Sequence, residues 1–273
     1  MQPLSVAALA VNIPGPLAAR ALAQAGAHVV KVEPPGGDPL AAAAPEWYGR
    51  ITEAMEVERL DLKQPASRAR LDSLVTNADV LVTAMRPAAL SRLGLEHAPL
   101  FERNPRLCWV AVVGDSGPAA DHAGHDLTYQ ARAGLLAPPS HPRTVFADMF
   151  AAERAVAAIY ELLYLRERTG AGGFREIAIA TGAQTLMDAH RFGLTAPDGP
   201  LGGGSPLYRC YRTADGWIAL AALEPHFRKQ LASVMQTDDL NERILSQQFA
   251  QHPTAHWERV ARECDLPLAG IGG

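Results

Sequence analysis

The sequence predicts an α/β protein in which a large domain with a Rossmann-like parallel sheet precedes a smaller α+β domain. In the first half, short apolar runs typical of strands alternate with helical segments, the pattern of a parallel sheet. A run rich in glycine and proline at 195–206 then separates this half from an Asp-Gly hairpin signal and a helical remainder. We therefore predict a large domain at 1–194, a linker at 195–206 and a small domain at 207–273.

Apolar periodicity and helix-terminus signals place the individual elements. The predicted strands of the large domain lie at 4–11, 28–33, 80–83, 107–113 and 175–180. The predicted helices lie at 16–25, 67–76, 124–136, 149–168 and 184–192. In the small domain we predict a hairpin with strands at 207–212 and 217–221, followed by two or three helices between Glu224 and Cys264.

Composition narrows the class of protein. With 273 residues, 48% of them hydrophobic, the chain can bury a substantial core. Its net charge of −4 and pI near 6.1 leave no basic stripe, so nucleic acid is not an expected partner. Three scattered cysteines, Cys108, Cys210 and Cys264, indicate reduced thiols in a cytoplasmic protein, with neither a disulfide framework nor a zinc site.

The apolar N-terminal segment 5–27 invites comparison with a signal peptide. It has no basic region before it, contains Pro14 and Pro16, and is followed by a strand-like run, so we interpret it as the first strand and helix. No apolar run is long enough to span a bilayer, and no membrane association is expected.

Nucleotide-binding motifs are absent from the sequence. The turn after the first strand reads Asn-Ile-Pro-Gly-Pro at 12–16 rather than Gly-x-Gly-x-x-Gly, and its prolines remove amides that a pyrophosphate would bind. The phosphate-binding loop sequence Gly-x-x-x-x-Gly-Lys-Ser/Thr does not occur either. A dinucleotide-dependent enzyme and a P-loop NTPase are therefore not expected.

Three residues are candidates for proton-transfer chemistry: His125, Asp148 and Glu224. An imidazole and separate carboxylates are the groups that move a proton at a weakly acidic carbon. Each also has a structural interpretation, because all three lie at predicted helix starts. His125 could begin a helix that Asp126 caps, Asp148 could cap the helix at 149–168, and Glu224 could lie at the positive end of a helix.

A series of short motifs resolves these alternatives. The motifs occur in order along the chain at 14–16, 26–36, 60–63, 78–82, 86–87, 92–95, 104–107, 123–129 and 166–172. Asp148 and Glu224 are single residues that belong to the same series. In this order the chain resembles the family III CoA-transferases of the CaiB/BaiF type, and among them the α-methylacyl-CoA racemases most. The resemblance implies the family III CoA-transferase fold.

The resemblance implies an acyl-CoA racemase or epimerase. His125 and Asp148 would exchange protons with opposite faces of the α-carbon, and Glu224 would orient His125. A helix N-terminus at Asp148 would lower its pKa and keep it available as a base. The first alternative is a family III CoA-transferase in which Asp148 is a nucleophile, since Met149-Phe150-Ala151-Ala152 departs from the glycine-rich racemase pattern. The second is a catalytically silent subunit that binds CoA.

Coenzyme A is expected as part of the substrate, with no prosthetic group and no metal. The resemblance assigns Lys63, Arg86 and Arg92 to the CoA phosphates, although each could be an ordinary surface charge. Gly124 and Tyr129 are also expected to contact the bound acyl-CoA, with Tyr129 at the acyl pocket, although Tyr129 could equally be a core residue. Pro34 replaces an arginine of the racemases, so one phosphate contact is missing or supplied elsewhere.

The glycines at 202–204 could form a flexible linker or a flap over the acyl-CoA. Family members continue beyond the part that matches 266–269, with residues that return to the large domain. The resemblance implies an interlaced homodimer, and a heteromer with a longer homologue is the alternative.

Overall fold

The computed structural model describes residues 3–272. They form two compact units, the first ending at Met187 and the second beginning at Asp188. The glycine-rich residues 195–206 lie within the second unit, where their backbone is folded into tight turns. A methyl group on Gly202 would overlap the carbonyl of Ala196, so this turn requires glycine.

The first unit contains a six-stranded sheet in the order β3-β2-β1-β4-β5-β6, in which all neighbouring strands are parallel. The strands are β1 (Ser5–Leu9), β2 (His28–Glu33), β3 (Glu56–Arg59), β4 (Val80–Thr83), β5 (Cys108–Val113) and β6 (Gly173–Ala178). The predicted α/β class and parallel sheet are confirmed. Strand β3 was not predicted, because its Glu-Val-Glu-Arg sequence suits an exposed edge rather than a buried run.

Helices cover both faces of this sheet. They are α1 (Pro14–Gln24), α2 (Pro39–Ala43), α3 (Pro45–Thr52), α4 (Pro65–Thr76), α5 (Pro87–Arg92), α6 (His97–Arg103), α7 (Asp126–Ala133), α8 (Phe146–Thr169) and α9 (Ile179–Leu186). A 3₁₀ helix spans Gly117–Asp121. Of the helices in residues 3–272, none combines the length and the apolar character that crossing a bilayer requires.

Alternate residues of the central strands supply two hydrophobic cores, as the period of two in a strand requires. On β1, Val6 and Ala8 join the core beneath α1, α7, α8 and α9, whereas Ala7 and Leu9 join the core beneath α4, α5 and α6. Small side chains on α8, among them Ala151, allow this helix to pack closely on the sheet and on α1.

Several predicted elements have different bounds in the structure. Helix α8 begins at Phe146, before the predicted start at 149, and it ends at the left-handed Gly170. The predicted strand 175–180 ends at Ala178 and helix α9 follows at once, because the Ala180 amide bonds to the carbonyl of Gly114. The predicted helix 184–192 is therefore split between α9 and the short helix α10 (Asp188–Arg191).

The second unit contains an antiparallel sheet in the order β7-β8-β9, formed by β7 (Tyr208–Arg212), β8 (Trp217–Ala221) and β9 (Leu268–Gly270). Its helices are α11 (Pro225–Met235), α12 (Glu242–Phe249) and α13 (Thr254–Cys264). The predicted Asp-Gly hairpin is present, and in its turn the Gly216 amide bonds to Thr213 Oγ1 at 2.9 Å. Phe249 and Trp257 pack edge to face in the core of this unit.

Candidate active site

The carboxyl ends of the parallel strands surround a cavity of about 240 Å³, the central cavity. Residues after β1, β4, β5 and β6 line it, including Asn12, Arg86 and Gly114. Strand order reverses between β1 and β4, and crevices at such switch points are the usual ligand sites of open α/β sheets. Two further cavities adjoin the central one: the loop cavity, of about 500 Å³, and the edge cavity, of about 550 Å³.

Five of the predicted site residues line the central cavity together: Arg86, Gly124, His125, Tyr129 and Asp148. They come from separate parts of the chain, after β4, at the start of α7 and in the first turn of α8. The fold therefore brings an imidazole, a carboxyl group and a guanidinium to one concave site. His125 and Asp148 also line the loop cavity, together with the segment 141–145.

His125 is the residue immediately before α7, in an extended conformation, and it is exposed. The Thr128 hydroxyl accepts a hydrogen bond from the His125 amide at 3.1 Å and donates one to its carbonyl at 2.7 Å, which fixes the backbone at this point. The amides of Asp126 and Leu127, at the first two positions of α7, have no hydrogen-bond acceptor in residues 3–272. Free amides at a helix start are donors for an anionic oxygen.

Asp148 lies inside the first turn of α8 rather than before it. The alternative in which it caps a helix starting at Met149 is wrong, because α8 already begins at Phe146 and its N-cap is Val145. The Asp148 amide donates a hydrogen bond to Oδ1 of the buried Asp126 at 3.1 Å. This bond ties the first turn of α8 to the start of α7.

Burial, together with the smaller effect of the nearby Asp126 carboxylate, raises the pKa of Asp148 from 3.8 to about 7. The expectation that the helix N-terminus would lower this pKa is therefore wrong, because desolvation and a like charge outweigh the helix dipole. Gln130 holds Asp126 in place by donating a hydrogen bond from Nε2 to its Oδ2. A carboxyl group that titrates near neutral pH can both accept and donate a proton under cellular conditions.

Tyr129 is buried, with 4% of its surface exposed, and still contributes to the wall of the central cavity. Its hydroxyl end lies against the backbone of Gly114 and Gly124, where any added methyl group would overlap the ring or its oxygen. Gly124 is therefore needed for the close approach of Tyr129, which packs in the core at the same time. Tyr129 is thus a core residue that also lines the central cavity, and its role in binding the acyl group stays a prediction.

Glu224 belongs to the second unit. It is exposed and directly precedes α11, whose first residue is Pro225. Its side chain makes no capping hydrogen bond. The pairing of Glu224 with His125 stays a prediction.

The edge cavity lies at the ends of β1, β2 and β3 and is mainly apolar, with three cations among its lining residues: Lys63, Arg68 and Arg92. Lys63 and Arg92 were predicted from the sequence, whereas Arg68 was not. Arg86, the third predicted phosphate ligand, lines the central cavity instead. The two cavities share Val11 and Met85, so one extended ligand could reach from the cations to His125.

The matching family model is CoA-transferase family III, and the match covers residues 1–271. The chain belongs to CoA-transferase family III. The human alpha-methylacyl-CoA racemase is 32% identical over 292 residues, which cover 95% of this chain and 74% of that protein. A probable fatty acyl-CoA transferase of Mycobacterium tuberculosis is 28% identical over 94% of this chain and 74% of that protein. Family III thus offers both racemase and transferase relatives.

A solved structure of a CaiB/BaiF family protein from Brucella suis has the same fold. Its TM-score is 0.82 at 22% identity, and the match covers 99% of this chain and 83% of that one. The resemblance to the CaiB/BaiF type that the sequence predicted is confirmed.

Sequence reasoning missed a buried ionic cluster beside the cavities of this family III chain. Lys31 Nζ lies 2.5 Å from Glu33 Oε1 and 2.8 Å from Asp38 Oδ2, and all three side chains are inaccessible to solvent. The Tyr48 hydroxyl donates to Glu33 Oε1, and burial together with this bond raises the pKa of Tyr48 to about 12. The available signal was the alternation of Lys31 and Glu33 with valines inside an otherwise apolar strand.

Within residues 3–272, His, Cys, Asp and Glu side chains nowhere form a group of three or more that could hold a metal ion.

Proposed function

We propose that this family III protein is an acyl-CoA racemase or epimerase that inverts the α-carbon of a CoA thioester. The observation that carries the proposal is that His125 and Asp148 line the same two cavities. One is an imidazole, and the other is a carboxyl group whose pKa is raised to about 7. Inversion requires two such groups, one to remove a proton and one to return a proton to the opposite face.

The α-proton of a thioester is acidic because its removal gives an enolate. The base, His125 or Asp148, takes the proton, and the electron pair of the broken C–H bond moves to the thioester oxygen. The free amides of Asp126 and Leu127 are suited to donate hydrogen bonds to that oxygen and so to stabilise its negative charge. The other residue then donates a proton to the opposite face and regenerates the thioester. We assign Glu224 the role of orienting His125.

CoA is proposed to bind with its phosphates near Lys63, Arg68 and Arg92 and its thioester in the central cavity. The apolar lining of the edge cavity and its three cations support this orientation. The substrate brings CoA with it, and the two-base reaction calls for no prosthetic group. The three free cysteines support a cytoplasmic location.

A CoA-transferase is the second candidate, supported by the transferase relatives and by the position of Asp148 at the cavity. Here an Asp148 oxygen would attack the thioester carbonyl and release CoA thiolate, which leaves a mixed anhydride. The thiolate would then attack the Asp148 carbonyl, forming an aspartyl-CoA thioester and a free carboxylate. A third candidate, a silent CoA-binding subunit, retains only the binding step.

The experiment incubates an enantiomerically pure α-methyl acyl-CoA with the protein in deuterated water and follows deuterium at the α-carbon by mass spectrometry. We expect exchange, and a loss of at least about 10²-fold in His125→Ala and in Asp148→Asn, as removal of a general base typically gives. His28→Ala and Asp238→Asn are matched controls at exposed positions outside the three cavities.

Exchange that survives in both site variants would refute the two-base assignment. Hydroxylamine trapping of an adduct on Asp148 would instead establish the transferase. If calorimetry at low salt detects no CoA binding, all three candidate functions fail together.

We also propose that the protein works as a dimer. Helix α8 exposes a series of apolar side chains, Phe146, Met149, Tyr160, Tyr164 and Leu165, with 60% of Tyr164 accessible. Apolar surface of this kind commonly lies in an interface. A homodimer is the first choice, and a heteromer with a longer homologue is the alternative. Light scattering that shows an active monomer at micromolar concentration would exclude both.

A further inference from the structure

Three residues line both the central cavity and the loop cavity: His125, Asp148 and Asn12. The first two carry the proposed proton transfers. Asn12 follows β1 at the switch point of the sheet and has no role in the chemistry described so far. Because Asn12 lines both cavities together with the two proton-transfer groups, it has access to the same bound substrate.

Asn12 is held in an uncommon backbone conformation. Its φ of 67° lies in the left-handed region, which asparagine tolerates better than most residues other than glycine. The Asn12 amide donates a hydrogen bond to Asp38 Oδ1 at 2.9 Å. Its carboxamide makes no hydrogen bond to any residue in the range 3–272 and is exposed at the cavities.

The residue that holds Asn12 is itself anchored by the buried ionic cluster. Asp38 Oδ2 pairs with Lys31, while Asp38 Oδ1 accepts hydrogen bonds from Asn12 and Leu40. Burying a lysine and two carboxylates is a weak source of stability, because desolvation offsets most of their attraction. The cluster does, however, fix the Asn12 backbone relative to the sheet.

We propose that Asn12 is a catalytic residue whose carboxamide donates a hydrogen bond to the thioester oxygen of the acyl-CoA. This inference rests on the proposed function. When the α-proton leaves, negative charge develops on that oxygen, and a donor already in place stabilises it more strongly than it stabilises the ground state. Asn12 would act beside the amides of Asp126 and Leu127, which line the loop cavity with it.

A carboxamide suits this position for two reasons. It is uncharged at every working pH, so it supplies a donor without competing with His125 or Asp148 for the proton. Its backbone conformation also permits a clean test. Glycine adopts the same left-handed φ without strain, so Asn12→Gly removes the carboxamide and leaves the turn intact. Asn12→Asp retains the shape and replaces the donor by an anionic acceptor.

The first measurement is α-deuterium exchange by the complete protein. We expect kcat to fall about 10²- to 10³-fold in Asn12→Gly, the range seen when one oxyanion donor is removed, with KM changed far less. Asn12→Asp should lose more, because its charge opposes the enolate. Gln236→Gly is the matched control: it replaces another left-handed residue (φ 55°) in the second unit and should match wild type.

The second measurement does not depend on turnover. Calorimetry compares an acyl-CoA with an S-alkyl-CoA in which a methylene replaces the thioester carbonyl. Wild type should prefer the acyl-CoA, and Asn12→Gly should lose roughly tenfold in affinity for the acyl-CoA alone, as loss of one hydrogen bond predicts. An equal loss for both ligands, no loss for either, or no preference in wild type would overturn the role of Asn12.

The two measurements separate the two hypotheses. Wild-type exchange that survives unchanged in Asn12→Gly would overturn the Asn12 inference and leave the racemase proposal standing. The opposite outcome is also distinguishable. If wild type shows no exchange but prefers the acyl-CoA over the S-alkyl-CoA, and Asn12→Gly abolishes this preference, the racemase proposal falls and the hydrogen bond from Asn12 to the thioester oxygen stands.

Discussion

Asp148→Asn is expected to stabilise the folded protein, and to do so increasingly as the pH rises. The folded-state pKa of Asp148 is raised from 3.8 to about 7 by burial and by Asp126. Below about pH 3.8 the carboxyl group is protonated in both the folded and the unfolded chain and contributes nothing. Between these two pKa values the unfolded chain loses the proton first, so stability falls. Above about pH 7 the Asp148 carboxylate is charged in the folded state too, and the loss of unfolding free energy reaches its full size.

The size of the effect follows from the same pKa. One pKa unit corresponds to about 1.4 kcal/mol, so the charge of Asp148 lowers the unfolding free energy of wild type by about 1–2 kcal/mol at pH 5 and by about 4 kcal/mol at pH 8. Asparagine keeps the size of the side chain and removes the charge. The hydrogen bond from the residue 148 amide to Asp126 is unaffected, because its donor is backbone.

Urea unfolding at pH 5 and at pH 8, followed by circular dichroism, measures the difference. The stabilisation by Asp148→Asn should grow by roughly 2–3 kcal/mol between the two pH values. Asp238→Asn, at an exposed position in the second unit, should show no such growth. A stabilisation that is the same at both pH values would refute the assigned pKa, whatever its size.

Three further sets of substitutions test other parts of the site. Asp126→Asn should shift the Asp148 limb of the pH–rate profile to lower pH. The pKa of Asp148 should not return to the ordinary value of an aspartate, since burial is the larger cause of its rise. Glu153→Gln, exposed on α8, is the control, and a limb that does not move in Asp126→Asn contradicts the interaction between Asp126 and Asp148. Gly124→Ala should destabilise the protein by about 1–3 kcal/mol by displacing Tyr129, whereas Gly36→Ala, which has open space around it, should not. Lys63→Met, Arg68→Met and Arg92→Met should each weaken CoA binding about tenfold at low salt and reduce its salt dependence. If calorimetry gives all three variants the affinity and salt dependence of wild type, the CoA phosphates do not bind in the edge cavity.

The central strands could be predicted from sequence because they are buried on both faces. Strands β1, β4 and β5 read as unbroken apolar runs, which few other elements produce. Strand β3 carries no such run because it lies at the sheet edge, and its glutamates and arginine face the surface. Short helices such as α2 and α6 depend on local turns and on packing, so their sequences gave no periodic signal.

The candidate site likewise has features that the sequence could predict and features that it could not. His125 and Asp148 could be chosen as candidates from the sequence, because the motifs around them occur in the family's order and their side chains suit proton transfer. The interaction between Asp126 and Asp148 could not, since it joins the starts of two helices that only the fold brings together. Local reasoning considered the helix dipole and therefore predicted the wrong direction for the Asp148 pKa. Desolvation is a property of the packed environment, which a sequence does not display.

Three features that cost this fold stability, or add little to it, lie close to the cavities. The left-handed Asn12, the buried Lys31 cluster that holds it, and the Asp148 carboxyl group with its raised pKa all lie beside cavities at the carboxyl ends of the strands. Elsewhere the sheet is covered by well-packed apolar cores. Substitutions that merely improved stability would remove these features first, beginning with a neutral residue at 148. Their presence at the switch point is therefore better explained by a demand for chemistry there than by the requirements of folding.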